Sequence, residues 1–102
     1  MAIVRVSIVP LGTSTPSLSR YVARAVGYLE SQKDISYQVT PMGTIIEGDL
    51  DRALEIIRQM HEDVFDGTVQ RVLTSITIDD RRDKESTMES KVNSVQNKLT
   101  GR

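Results

Sequence analysis

One pattern, Pro-x-Gly-Thr, occurs twice in this chain, as Pro10-Leu11-Gly12-Thr13 and as Pro41-Met42-Gly43-Thr44. Each copy closes a β-type run, and in each the Pro-x-Gly pair interrupts the ladder and turns the chain. Each then presents a threonine hydroxyl just past the glycine. The chemistry on offer is hydrogen bonding. Main-chain N–H groups at such turns attract an anion or a carbonyl, above all beside a helix N-terminus. Thr13, Ser14, Ser17, Ser19 and Thr44 add neutral donors and acceptors. Taken alone, either copy is also an ordinary strand-ending turn. Two copies converging on one sheet edge point to a ligand pocket.

Four other groups carry chemistry. Glu47 follows two isoleucines on a short strand expected to be central, where an unpaired carboxylate is costly. It either forms a salt bridge with Arg5 or Arg71, or accepts from the amino group of a heterocycle or from a cation. His61 has Ile57 four residues before it and Phe65 four after, the setting of a half-buried, hydrogen-bonded histidine more than of a catalyst. Tyr21, Tyr28 and Tyr37 are core or interface aromatics, any of which can also stack on a flat ring. The run Asp79-Asp80-Arg81-Arg82-Asp83 resembles a metal cluster, but its interleaved arginines neutralise it and a solvated turn is the better reading.

Composition narrows the classes. The chain has 102 residues, expected to form a single domain over 1–102, and a formal net charge of −1, which argues against a general nucleic-acid or anionic-membrane binder. It has no cysteine and one histidine, so thiolate metal sites, disulfides and cysteine nucleophiles within the chain are excluded, a histidine-rich metal site would need symmetry partners, and no catalytic triad can be assembled from the residue types present. No apolar run approaches membrane-spanning length and the start Met1-Ala2-Ile3-Val4-Arg5 lacks a signal-peptide pattern. A cytoplasmic, non-enzymatic binding protein without metal or cofactor is expected.

The elements that must position these groups follow from periodicity. Residues 3–9 alternate, with Val4, Val6 and Ile8 on one side and Ile3, Arg5, Ser7 and Val9 on the other. Thr15-Pro16 resembles an N-cap with proline at the first helical position. The helix that follows, to about Gln32, carries Leu18, Val22, Val26 and Leu29 on one face and Tyr21, Ala25 and Tyr28 beside it. Residues 35–40 form a second strand and Ile45-Ile46-Glu47 a third. Asp49 or Asp51 caps a second helix, to about Phe65, that buries Leu50, Leu54, Ile57 and Val64, with Met60 beside them. Residues 70–78 make a fourth strand with Val72, Ile76 and Ile78 inward, and a last helix spans about Lys84 to Leu99 with Met88, Val92, Val95 and Leu99 in a stripe.

The order β-α-β-β-α-β plus a C-terminal helix is the ferredoxin-like pattern of the α+β class, with an antiparallel four-stranded sheet. It puts both Pro-x-Gly-Thr copies, the region of His61 and Arg71 at one end of the sheet. Right-handed crossovers place both core helices on one face. The other face, with Ile3, Val9 and Leu73 among polar residues, is apolar enough to pack on another subunit.

SIVPLGT (7–13), SLSRYVARAV (17–26), TPMGTIIEGD (40–49), MHE (60–62), RV (71–72) and IDDRRDK (78–84) together resemble the small thiamine-binding protein family, related to the hydroxymethylpyrimidine/thiamine-binding YkoF type. The likeness covers nearly the whole chain. It implies a ferredoxin-like fold, homo-oligomers built through the sheets up to a dimer of dimers (a homotetramer), and binding of thiamine or its pyrimidine precursor without known catalysis. On that resemblance Glu47 pairs with the aminopyrimidine, Thr44 and Thr13 hydrogen-bond it, and a tyrosine or Met42 stacks. With the groups that the topology brings to the same sheet edge, the expected ligand contacts are Thr13, Ser17, Ser19, Tyr37, Met42, Gly43, Thr44, Glu47, His61 and Arg71. The alternative is a small regulatory or assembly module that holds a phosphate-type anion at the same edge, motivated by the helix N-terminus and Arg71. An enzymatic reading has only His61 and Glu47 as an acid–base pair.

Overall fold

The computed structural model describes residues 1–12, 19–65, 67–83 and 87–99. Its elements are β1 (Ala2–Leu11), α1 (Ser19–Glu30), β2 (Ser36–Thr40), β3 (Gly43–Gly48), α2 (Leu50–Val64), β4 (Arg71–Asp80) and α3 (Met88–Leu99). The sheet order is β2-β3-β1-β4 with every neighbouring pair antiparallel, so β1 and β2 run parallel on either side of β3. This is the ferredoxin-like α+β fold. Among the described residues, no helix is long and apolar enough to cross a membrane.

The core lies between the sheet and the two crossover helices. Val4, Val6 and Ile46 from the sheet meet Leu29 of α1 and Ala53, Ile56, Ile57 and Met60 of α2. A smaller cluster of Tyr21, Val64 and Val69 adjoins it through Ile8, which packs on both. Helix α2 starts where Asp49, in extended conformation, accepts from the Arg52 N–H at 3.2 Å. At α3, Thr87 and Ser90 cap reciprocally: each side-chain oxygen accepts from the other's main-chain N–H, at 3.0 and 2.9 Å.

Several expectations are corrected. The buried stripe of α1 is Tyr21, Ala25, Tyr28 and Leu29, whereas Val22 is 47% exposed. On α2 the deepest positions include Ala53 and Ile56, one helical step round from the stripe through Leu50 and Leu54. Asp79 and Asp80 are not in a turn: they extend β4, opposite Ile3 and Ala2, and the charge pairing runs Arg82 to Asp80 and Arg81 to Asp83. Ile76 and Ile78 face the helix side of the sheet yet stay 44% and 45% exposed, because β4 is an edge strand.

The correction that matters most concerns β1. Pro10 and Leu11 do not end the strand; they continue it, paired with Val72 and Arg71 of β4. A proline fits a ladder only where its missing N–H points away from the partner strand. That side of Pro10 is the one β3 has already left, since β3 pairs with β1 only as far as Val6 opposite Thr44. No ladder bond is lost, so β1 overhangs β3 by five residues, Ser7 to Leu11.

Candidate functional site

The overhang creates a step in the sheet, and the step holds a cavity of about 390 Å³. One wall is β1 from Val6 to Val9; the roof is the β2–β3 turn from Val39 to Thr44. Tyr21, Val22, Arg24 and Ala25 of α1 form a second wall, and Met60, Asp63 and Val64 of α2 the floor. Main-chain groups of successive strand residues point to alternate edges. Pro10 faces the vacated edge, so Ile8, two residues earlier, directs its N–H and C=O to the same side, along the cavity wall. The lining is mostly apolar, with a few placed polar groups, in the size range of small-molecule sites.

The roof is held in shape from within. The Thr40 hydroxyl donates to the Gly43 carbonyl at 2.7 Å and accepts from the Met42 N–H at 3.2 Å, closing the Pro41-Met42 turn. Gly43 has φ +133°, a conformation L side chains rarely adopt, and a Cβ there would stand 2.6 Å from the Val6 carbonyl oxygen. The glycine is what lets this turn lie against β1.

Two residues with charged side chains line the cavity, Arg24 on the α1 wall and Asp63 next to it on the α2 floor. Arg24 donates through Nη1 to the main-chain oxygen of Asp63 at 2.7 Å, and its guanidinium carbon lies 5.9 Å from the Tyr21 ring centre. The Asp63 carboxylate accepts from Gln59 Nε2 at 2.7 Å through Oδ1. Arg20 stacks on the same Tyr21 ring at 4.9 Å and donates to its hydroxyl at 2.8 Å, fixing the ring as a wall.

The expected ligand residues scatter. Met42, Gly43 and Thr44 line the cavity. Tyr37 packs against the core on the next helix-facing position of β2. Glu47 lies opposite Ile3 and Ser36, at the other end of β3, where its carboxylate accepts from the Met88 N–H at 3.3 Å. It meets neither Arg5, which donates to Thr77, nor Arg71, which stands at the far end of β4. His61 sits on the β4 side of α2, its Nδ1 2.6 Å from the Thr74 hydroxyl and its ring edge-on to Phe65. Arg71 lines a separate hollow of about 300 Å³ with Leu11, Gly12, Thr68 and Gln70. Ser19 is the first residue of α1, and Thr13 and Ser17 lie outside the described residues.

The two Pro-x-Gly bends therefore share an end of the sheet but not a rim. Gly43 lies against Val6 and Ser7, and Gly12 is five residues further along β1, roughly 16 Å away. A wider hollow of about 550 Å³ opens at the opposite end, around Asp49, Asp80, Arg81 and Arg82. It has no aromatic wall, and both its arginines are tied to aspartates. Among the described residues no cluster of histidine and carboxylate side chains could hold a metal ion. Sequence reasoning passes over Arg24, Thr40 and Asp63, and leaves Tyr21 as one of three tyrosines able to stack on a ring. The available signal was the Tyr21-Ala25-Tyr28 stripe, which brings Arg24 to the rim of the same face.

The family model described as thiamine-binding protein matches residues 4–96. The chain is 49% identical over 102 residues to the UPF0045 protein YqgV of Bacillus subtilis, covering 97% of this chain and 98% of that one. It is 47% identical to the UPF0045 protein in the glkA 3' region of Staphylococcus xylosus, covering 97% and 95%. The crystal structure of the hypothetical protein MJ1052 from Methanocaldococcus jannaschii superposes with a TM-score of 0.84 at 38% identity, over 93% of this chain and 95% of that one.

Proposed function

This chain belongs to the thiamine-binding protein family, and on that premise we propose that it binds thiamine or a related aminopyrimidine in the cavity beneath the β2–β3 turn, without turning it over. The observation that carries the reading is the cavity itself: about 390 Å³, largely apolar, opening where β1 overhangs β3. Its polar fittings suit a flat, amino-bearing cation. The Ile8 main chain and the Thr44 hydroxyl match the hydrogen-bonding edge of an aminopyrimidine. The Asp63 carboxylate matches an exocyclic amine or a ring cation, and Met42, Met60 and Tyr21 supply polarizable surface for the rings. General acid–base chemistry needs a positioned pair of titrating groups; the wall has one carboxylate, and the histidine of the chain faces β4. That supports carriage, storage or sensing.

The reading extends to a cytoplasmic homo-oligomer, a dimer of dimers, that binds no nucleic acid. What supports assembly is apolar surface left open: Leu73, Ile76 and Ile78 on β4, and Val92, Val95 and Leu99 along α3. Calorimetric titration with thiamine is the test of function. Saturable binding is expected, weakened by Thr44→Val and by Asp63→Asn; no heat at protein concentrations well above micromolar removes thiamine as the ligand.

A further inference from the structure

The charges on the cavity wall specify more than a flat cation. Arg24 and Asp63 stand on different helices, α1 and α2, and form no ion pair with each other: the guanidinium bonds the main-chain oxygen of Asp63, while the carboxylate accepts from Gln59. Among the described residues, no carboxylate pairs with Arg24 and no cation pairs with Asp63. A guanidinium has five N–H donors in a planar fork, and the bond to Asp63 accounts for one of them. The guanidinium is exposed at the rim of the cavity, its carbon 5.9 Å from the Tyr21 ring centre.

A ligand carrying only a positive charge satisfies Asp63 and meets an unneutralised cation in Arg24. A ligand carrying a cation at one end and an anion at the other satisfies both. Phosphate oxygens match the remaining fork of an arginine in two parallel bonds. Resting on the reading of the cavity given above, we propose that the site prefers the phosphate ester of a cationic heterocycle to the unphosphorylated cation, with Arg24 holding the phosphate and the neighbouring Asp63 facing the ring cation.

The experiment is a calorimetric titration of the full chain with thiamine and with thiamine monophosphate, for wild type, Arg24→Ala and Arg24→Lys, with circular dichroism on each variant. The monophosphate is expected to bind roughly tenfold to a hundredfold tighter than thiamine, the range for hydrogen bonds to a charged partner. Arg24→Ala lowers monophosphate affinity by a similar factor and moves thiamine affinity up, a split in sign that general damage to the fold does not produce. Arg24→Lys keeps part of the preference. Should Arg24→Ala fail to fold, the wild-type preference must still shrink as salt is raised. Equal affinity of wild type for the two compounds, or an Arg24→Ala that weakens both alike, overturns the phosphate inference and leaves the thiamine reading standing. Binding of neither compound overturns both.

Discussion

Replacing each glycine of the twin bends by alanine separates their roles. At Gly43 the backbone has φ +133°, and an added Cβ would lie 2.6 Å from the Val6 carbonyl oxygen and 3.4 Å from its carbon. Holding a non-glycine residue in such a region costs about 1–3 kcal/mol. The clash is with backbone of a paired strand, which cannot swing away as a side chain would, and overpacking of this kind adds about 1–3 kcal/mol. Together that is about 2–6 kcal/mol, a large share of the roughly 5–15 kcal/mol that holds a domain folded. At Gly12 φ is +75° and nothing lies within 4 Å of the added atom. Gly12→Ala therefore carries only the left-handed penalty of about 1–2 kcal/mol.

Urea unfolding at neutral pH, followed by circular dichroism, reads both. Gly43→Ala is expected to lower the midpoint well beyond Gly12→Ala, with melting down by on the order of 10 °C or more. Relief of the clash must lift the roof from β1, so thiamine affinity falls in Gly43→Ala even where the protein remains folded. If the two substitutions cost the same, or if Gly43→Ala binds as wild type does, the roof does not depend on that close approach and the account of the cavity is wrong.

Thr40→Val removes the hydroxyl that closes the roof on both sides; a loss of about 1–2 kcal/mol in urea titrations and weaker thiamine binding are expected together. Leu29→Ala empties a fully buried site in the main core and should cost about 2–5 kcal/mol by the same titration. The Arg82 guanidinium holds the Asp80 carboxyl below its ordinary value, through a hydrogen bond first and charge second. A carboxyl depressed in the folded state stabilises above its unfolded pKa and loses that contribution as pH falls through the folded value. The urea-midpoint gap between wild type and Arg82→Ala should therefore be present at neutral pH and close as pH falls below about 4.

The order of elements was legible because alternation and helical periodicity are local and the breaks between them are marked by proline and glycine. Registers were not. A period-two pattern tells which side of β1 faces the helices, but not where β3 stops pairing with it. Pro10 therefore looks like the end of a strand that in fact runs on past it, and the two bends look able to share a rim although they stand roughly 16 Å apart. Helix rotation was ambiguous for a related reason. Val22 and Tyr21 belong to adjacent stripes of similar apolarity, and only the packed structure shows Tyr21 buried and Val22 at the cavity wall. Asp63 carries no sequence signal, since a carboxylate late in an amphipathic helix reads as solvated. Glu47 stood out in the sequence, yet its position is explained locally by its bond to the first turn of α3.

The cavity can be traced to unequal strand lengths more than to any polar motif. β1 has ten residues and β3 six, and their pairing stops where β3 turns back into β2. A longer β3 would fill the step with its own main chain and side chains. An unpaired strand edge left open in this way is ordinarily a template for another strand. Here Pro10 withholds a donor from that edge, and the β2–β3 turn covers Ile8, able to come so near because residue 43 has no Cβ to strike Val6. The edge is thus closed to strand addition while Ile8 retains an N–H and a C=O for something smaller. Seen this way the two glycine–proline bends are not duplicate ligand clamps. One lengthens and protects the strand that makes the wall, and the other is the roof.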